Sequence, residues 1–367
     1  LDISKDLLPK YGPSEFYRNV YSDLTTISIG GLYKQIALRS DQKADNVWTN
    51  AVPNSIQSIY NYQRGDGGFA YYRRADMSDP YLSAQILEAF TIVKGQYTVD
   101  DWVANRLRDY LTSYYANTKL VLPEETNSYA GKQRENAEQR LRSDADTLAY
   151  IANVLASDTE PSILSLQYLQ EHKDKLSLWG KSQLAMAAHA QKRDDIATSL
   201  KQEIENKLLT TATQAHFEED SYNPWTLATP IRTNQSILRM YLYLNGDERV
   251  EANLIRYILR SRVGQSFGSQ SELIDWLKIS AEFLQFKGMN KNVNWVLALN
   301  EKEIPTETKT TTSGIESQIT VPLTDFQTNG GINALTFDHT GTGALFYEGL
   351  LTYQVAGVEA SPITQGL

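Results

Sequence analysis

The sequence predicts a mainly α protein, a ring built from paired helices, followed by a small antiparallel β unit. Three observations carry this reading. Apolar residues return every three or four positions from about Ser14 to Gly288, with breakers between the runs. The helices come in pairs of roughly 40 to 50 residues, which cannot bury both flanks alone and must pack on neighbouring pairs. A closed ring satisfies every flank. After Gly288 the composition shifts to short strand-like runs separated by turn signals.

Taken in order, Leu82, Ile86, Leu87, Phe90 and Val93 form one helical stripe, and Trp102, Leu107, Tyr110, Leu111 and Tyr114 the next. Further stripes follow at Leu148, Ile151 and Leu155; at Ile163, Leu166 and Leu169; and at Leu184, Met186 and Ala188. The last are Ile237, Leu238, Tyr241 and Leu242; Leu254, Tyr257 and Ile258; and Leu273, Trp276, Leu277 and Phe283. This periodicity supports about eleven or twelve helices. Asp79-Pro80 and Asn223-Pro224 place a capping side chain ahead of a proline at the first helical position, with Glu160-Pro161 a weaker instance. Gln63 to Ala70 and Gly264 to Gln270 read as repeat-end loops, each with glycines for turns and one aromatic anchor. Beyond Gly288, Val293–Leu299, Glu316–Val321, Gly331–Phe337 and Gly343–Tyr353 are strand-like, while the threonine-rich stretch from Thr306 to Ser313 reads as an exposed loop.

At 367 residues the chain suits one large domain and one small one, and 22% charged with 41% apolar residues describes a chain able to bury a large core. The expected boundary falls between 289 and 290. A net charge of −9, with no cluster of Lys and Arg around aromatics, argues against nucleic acid as a partner. No apolar run approaches the roughly 18 to 20 residues that span a bilayer. The abrupt ends, with no initiator Met, point to a piece of a larger protein.

The most informative stretch is Tyr11-Gly12-Pro13-Ser14-Glu15-Phe16, preceded by Leu7-Leu8. It is similar to the Leu-Leu…Tyr-Gly-Cys-x-Glu-Gln opening of thioester domains, with Pro13 at the cysteine position and Phe16 at the glutamine position. Downstream, Tyr62-Gln63-Arg64…Asp66-Gly67-Gly68-Phe69 is similar to Tyr-Gln-Arg…Asp-Gly-Ser-Tyr/Phe. Asp144 to Tyr150 stands where an Asp-x-Ala-Leu-Thr-Ala-Phe helix is found, and Phe267-Gly268-Ser269-Gln270 where Gly-Gly-Phe-Ser-Ser-Thr-Gln-Asp opens the last helix. Gly341 to Tyr353 is similar to the strands that follow. By order and spacing, the chain resembles the thioester-containing domain of bacterial alpha-2-macroglobulins over nearly its whole length.

That resemblance implies an α/α toroid of six helix pairs over 1–289 and, over 290–367, the C-terminal strands of a CUB-like β-sandwich whose first strands would precede Leu1. It implies a periplasmic or extracellular parent, anchored or free, cleaved by peptidases in a bait region and changing shape to trap them. Its partners would be those peptidases and neighbouring macroglobulin-type domains. A cell-envelope scaffold binding other envelope proteins is the alternative. The degenerate motif, Pro13, Ser14, Glu15 and Phe16, is the one site this reading singles out. A thioester needs a thiolate and a glutamine carboxamide. Pro13 and Phe16 supply neither, and the chain contains no cysteine at all. The expectation is therefore a non-enzymatic chain with no cofactor and no metal, in which Phe16, Tyr17 and Tyr21 fill the former reactive volume.

Other constellations read more simply as structure. Asp144-x-Asp146-Thr147 resembles the acidic motif of class II terpene cyclases, but a solvated helix start capped by Ser143 accounts for it. A glycosidase-type carboxylate pair could be drawn from Asp66, Glu218, Glu219, Asp220 and Asp275, yet sequence gives no separation between them. Asp66 reads as a turn residue and Glu218-Glu219-Asp220 as a loop. The four histidines, His172, His189, His216 and His339, lack metal-type spacing. The 22 tyrosines suit either a ligand groove or a toroid core, and core is the simpler account for any single one.

Overall fold

The computed structural model describes residues 19–40, 47–122, 131–158, 164–211, 214–219, 226–262, 267–287, 294–304, 309–311, 314–316, 326 and 332–340. The chain divides into two compact units, Leu1–Gly288 and Met289–Leu367. Among the described residues the first unit holds eleven α-helices: α1 (Val20–Arg39), α2 (Val47–Ile59), α3 (Pro80–Val93), α4 (Asp101–Asn117), α5 (Lys132–Ser157), α6 (Gln167–Glu171), α7 (Leu178–Ala190), α8 (Asp194–Glu205), α9 (Pro230–Tyr243), α10 (Glu248–Arg260) and α11 (Gln270–Phe286). A short ribbon, β1 (Leu209–Thr210) and β2 (Ala215–His216), joins α8 towards α9.

The odd-numbered helices form a closed inner ring. Each packs on the next in the order α1, α3, α5, α7, α9, α11, and α11 packs back on α1. All six run the same way. Near their starts, Thr25 of α1 meets Gln270 of α11, Tyr81 of α3 meets Trp179 of α7, and Thr229 before α9 bonds Glu272 of α11. Near their ends, Arg39 of α1 donates to the Ala281 carbonyl and to Gln285, and Asp158 after α5 accepts from Thr91 of α3. The even-numbered helices pack outside, on α1, α3, α5, α7 and α9 in turn. This is an α/α toroid, with six inner and five outer helices among the described residues.

Local chemistry places the helix starts. Asn19 caps α1 in a reciprocal box with Ser22, and Asp79 accepts from the Leu82 N–H at 2.7 Å with Pro80 at the first helical position. Asn223-Pro224, Glu160-Pro161 and Ile163 lie outside the described residues. The start signal used for α9 is instead Thr229-Pro230. The expected stripes of α3, α7 and α9 are buried throughout. In α4, Leu107 and Leu111 are buried but Trp102 is not, because it stands on the outer wall with the Arg106 guanidinium 4.6 Å from its ring centre. Two inner helices approach closely at Gly31, where a Cβ would come within 2.6 Å of Val93.

In the second unit, β3 (Asn294–Leu299) pairs antiparallel with β4 (Lys302–Ile304) and with β7 (Leu335–Thr340). Leu297 faces Ile304 on one side and Phe337 on the other. The stretch read as an exposed loop contains a strand, β5 (Lys309–Thr311), paired with β6 (Gly314–Glu316). Its β-branched threonines suit an extended backbone as well as a polar loop. Residues 317–321 and the strand-like 343–353 lie outside the described residues, and β7 begins at Leu335, later than the run from Gly331 suggested.

Candidate functional site

The degenerate motif, Pro13, Ser14, Glu15 and Phe16, lies outside the described residues, as does Tyr17. Three positions after Phe16, Asn19 caps α1 at the end of the ring where the inner helices begin. There Tyr21 stacks on Tyr71 with ring centres 5.7 Å apart, and burial raises the pKa of both phenols. Tyr81, Tyr150 and Trp179 form a second aromatic cluster beneath, with centroids 5.4 to 6.4 Å apart. Burial also raises the Asp79 carboxyl, opposed by the N–H groups at the start of α3. Tyrosine here serves as toroid core with its hydroxyl bonded, as Tyr81 donating to the Thr226 carbonyl at 2.8 Å shows.

Below the aromatics, the ring axis carries three cations and three carboxylates. Arg232 Nε donates to Asp275 at 2.7 Å, and Lys278 Nζ bridges Asp275 at 3.1 Å and Glu88 at 2.6 Å. Arg239 pairs with Glu282 at 2.5 Å and lies 3.8 Å from Glu88. The Tyr150 hydroxyl donates to Glu88 at 2.6 Å and the Tyr243 hydroxyl to Glu282 at 3.2 Å. Burial alone would push the Asp275 carboxyl up, but Arg232 and Lys278 override it and hold it at about 2. Glu88 is held low in the same way, against burial, by Lys278 and Arg239. Burial opposes the charge on Arg232, yet Asp275 keeps its pKa well above the ordinary value.

These charges are satisfied internally, with a net charge of zero. Beside them Asn153, Gln183, Ser182 and Ser236 form a buried hydrogen-bonded chain, and a cavity of about 40 Å³ bounded by Glu88, Asn153, Arg239 and Tyr243 has room for a few water molecules. A larger cleft, about 480 Å³, opens beside the start of α7 between α5 and β1.

Sequence reasoning misread the acids of that cleft. Ser143 does not cap a helix and Asp146 is not solvated: α5 starts eleven residues before Ser143, at Lys132, and both side chains are buried. Asp146 accepts from the Ser177 N–H at 3.0 Å, while Glu219 accepts from Leu178 and Trp179 N–H, each at 3.0 Å. The two carboxylates thus complete the N-terminus of α7, where unpaired donors and the helix dipole favour negative charge. A signal existed in Ser177-Leu178-Trp179, a capping serine ahead of an apolar run, but nothing local names distant acids as its partners.

The remaining candidate carboxylates also have internal partners. Asp66 accepts from Gly68 N–H at 3.0 Å and Ser78 at 2.7 Å, the turn role expected of it; Glu218 lies 3.2 Å from His216; Asp275 belongs to the axis. Asp220 is outside the described residues. His172 contacts the Tyr168 carbonyl, His189 contacts Asp194, and His216 stacks on Tyr257 at 4.7 Å. Among the described residues no group of His, Asp and Glu could hold a metal ion, and no helix is long and apolar enough to cross a membrane.

A closed toroid of parallel inner helices with an ion-paired axis, followed in sequence by antiparallel strands, defines the class of fold. Solved structures similar to this chain in fold are bacterial alpha-2-macroglobulins. The native Escherichia coli protein, spanning domain MG7 to the C-terminus, aligns over 93% of this chain and 46% of its own, with a TM-score of 0.57 and 14% identity. The Salmonella protein reacted with methylamine aligns over 88% of this chain and 18% of its own, with a TM-score of 0.56 and 17% identity. The trypsin-activated E. coli protein gives 88%, 19%, 0.54 and 13% respectively. This chain therefore spans less than half the length of the structures it matches. No protein-family profile and no curated protein sequence matches it.

Proposed function

We propose that this chain is a thioester-like domain without a thioester, residues 1–289, with adjoining CUB-like strands, residues 290–367, from a bacterial alpha-2-macroglobulin-type protein of the periplasm or cell exterior. It contributes to hindering peptidases through a change of shape, without covalent attachment and without catalysis. The observation that carries this reading is a conjunction. The fold shared with bacterial alpha-2-macroglobulins occurs in a chain with no cysteine, whose thioester-like frame reads Pro13-Ser14-Glu15-Phe16. No adjustment of pKa replaces a missing sulfur and a missing carboxamide.

The ring is suited to move as one body. Arg39 ties α1 to α11, and the axis ties α3, α5, α9 and α11 together through charge-assisted bonds. Among the described residues, the candidate carboxylates Asp66, Glu219 and Asp275 are engaged in a turn, a helix cap and an ion pair, which supports a mechanical role over a catalytic one.

Incubating the full-length parent with trypsin or elastase tests the reading. Cleavage in one exposed segment, retention of the peptidase on size exclusion and its release in hot detergent are expected. A peptidase conjugate that survives hot detergent overturns the non-covalent role. An intact, unaltered parent overturns the peptidase role and favours an envelope scaffold.

A further inference from the structure

The cleft beside the start of α7 has the size and lining of a ligand site, and the mechanical role proposed for the ring does not use it. Its volume of about 480 Å³ falls within the roughly 300–1,000 Å³ of small-ligand pockets. Three parts of the chain wall it: α5 with Gln139 and Arg142, the residues from Asp174 into α7, and the run from Asn206 into β1. These walls are fixed from within. Asp146 of α5 accepts from the Ser177 N–H, Glu219 accepts from the Leu178 and Trp179 N–H groups, and Lys181 donates to Glu203 at 2.9 Å. A site held in this way needs little ordering when a ligand enters.

The lining is partly apolar and carries both signs of charge. Leu176, Leu178, Leu208 and Leu209 supply the apolar surface, with Leu209 43% exposed. Arg142, Lys175, Lys181 and Lys207 share the wall with Asp146, Asp174, Glu218 and Glu219, so the formal charges cancel. Internal pairing decides which of them stay open. Asp146 and Glu219 are engaged by the N–H groups at the start of α7, Lys181 by Glu203, and Lys175 by Asp174 at 3.3 Å. Arg142 and Lys207 have no carboxylate partner among the described residues, and Glu218 has only the His216 imidazole, 3.2 Å from one of its oxygens. Two cations and one carboxylate therefore remain open to the cleft.

The geometry points to a binding site for a short peptide with free ends and apolar side chains. The peptide carboxylate meets Arg142 and Lys207, its amino group meets Glu218, and its side chains lie against the leucines. A wholly apolar ligand is disfavoured because it would cover these three charges without pairing them. Nucleic acid is disfavoured because four carboxylates in the same wall cancel the four cations that a phosphate backbone requires. The inference does not depend on the macroglobulin reading, since it uses only the cleft.

The test is calorimetric titration of the whole 367-residue chain with the tripeptide Leu-Ala-Leu. A dissociation constant below about 1 mM is expected in about 0.05 M salt, with free leucine about tenfold weaker. Acetylating the amino end or amidating the carboxyl end should each weaken binding about fivefold. Arg142→Ala/Lys207→Ala should weaken the free peptide about fivefold yet leave the amidated peptide nearly unchanged, and Glu218→Gln should do the same for the free against the acetylated peptide. Far-ultraviolet dichroism reports whether each variant keeps its fold. The proposal is overturned if the tripeptide does not bind at about 10 mM, if free leucine or the doubly blocked peptide binds equally well, or if the variants weaken free and blocked peptides alike.

Discussion

Replacing Asp275 with Ala should be among the most damaging single changes in the ring. The carboxylate is almost wholly buried and neutralises two cations at once, Arg232 at 2.7 Å and Lys278 at 3.1 Å. Lys278 retains Glu88, but Arg232 keeps the Tyr81 hydroxyl, the carbonyls of Thr226 and Leu227 and the Trp179 ring 6.0 Å away, leaving one buried positive charge without a counter-charge among the described residues. Breaking such a pair costs about 3–5 kcal/mol. For a unit of this size each kcal/mol lowers the melting temperature by about 2 °C, so a fall of about 6–10 °C is expected. Helical dichroism followed in urea and on heating measures it. The companion variant Arg232→Met/Asp275→Leu removes both charges and should cost less than Asp275→Ala alone, with a coupling of at least about 1.5 kcal/mol in the double-mutant cycle. A cost below about 1 kcal/mol for Asp275→Ala, or simple additivity in the cycle, would refute the claim that the axis is held by paired buried charge.

Acid should weaken the ring through the same residue. A carboxyl held at about 2 in the fold, against 3.8 ordinarily, contributes about 2.5 kcal/mol. Because its folded pKa is depressed, that contribution is complete above pH of about 4 and lost as pH falls towards 2, so urea midpoints measured from pH 6 to pH 2 should drop less steeply in Asp275→Asn. Gly30→Ala places a Cβ 2.4 Å from Val52 Cγ2 and 2.8 Å from Trp48 Cε3, and should cost about 1–3 kcal/mol by prying α2 from α1; an unchanged urea midpoint would contradict that packing. Glu219→Ala should cost about 1–2 kcal/mol by leaving the Leu178 and Trp179 N–H groups without their acceptor, with Glu219→Gln recovering part of it; equal midpoints for all three chains would remove Glu219 from the cap.

The gap between sequence and structure falls along one line. Asp66 was readable as a turn residue because its partners, Gly68 and Ser78, are close in sequence. Asp146 and Glu219 were not readable as the cap of α7, since they lie 31 and 40 to 41 residues from the donors they serve. Trp102 fitted a helical stripe, but only the neighbouring loop decides that its position faces outward. The strand at Lys309–Thr311 was missed because threonine-rich polar runs suit both loop and edge strand, and pairing with β6 settles the choice.

Sequence alone determined the helical periodicity, the change to strands near Gly288, and the absence of any cysteine to form a thioester, because each depends on which residues are present and how closely they are spaced. Tertiary structure alone decided which side chains meet inside the ring, as where Glu88 reaches Lys278 across 190 positions. Periodicity reports which face of a helix is apolar, a property of residues three or four apart. The pairing of buried charges is set by which faces meet, and that meeting exists only once the chain has closed on itself.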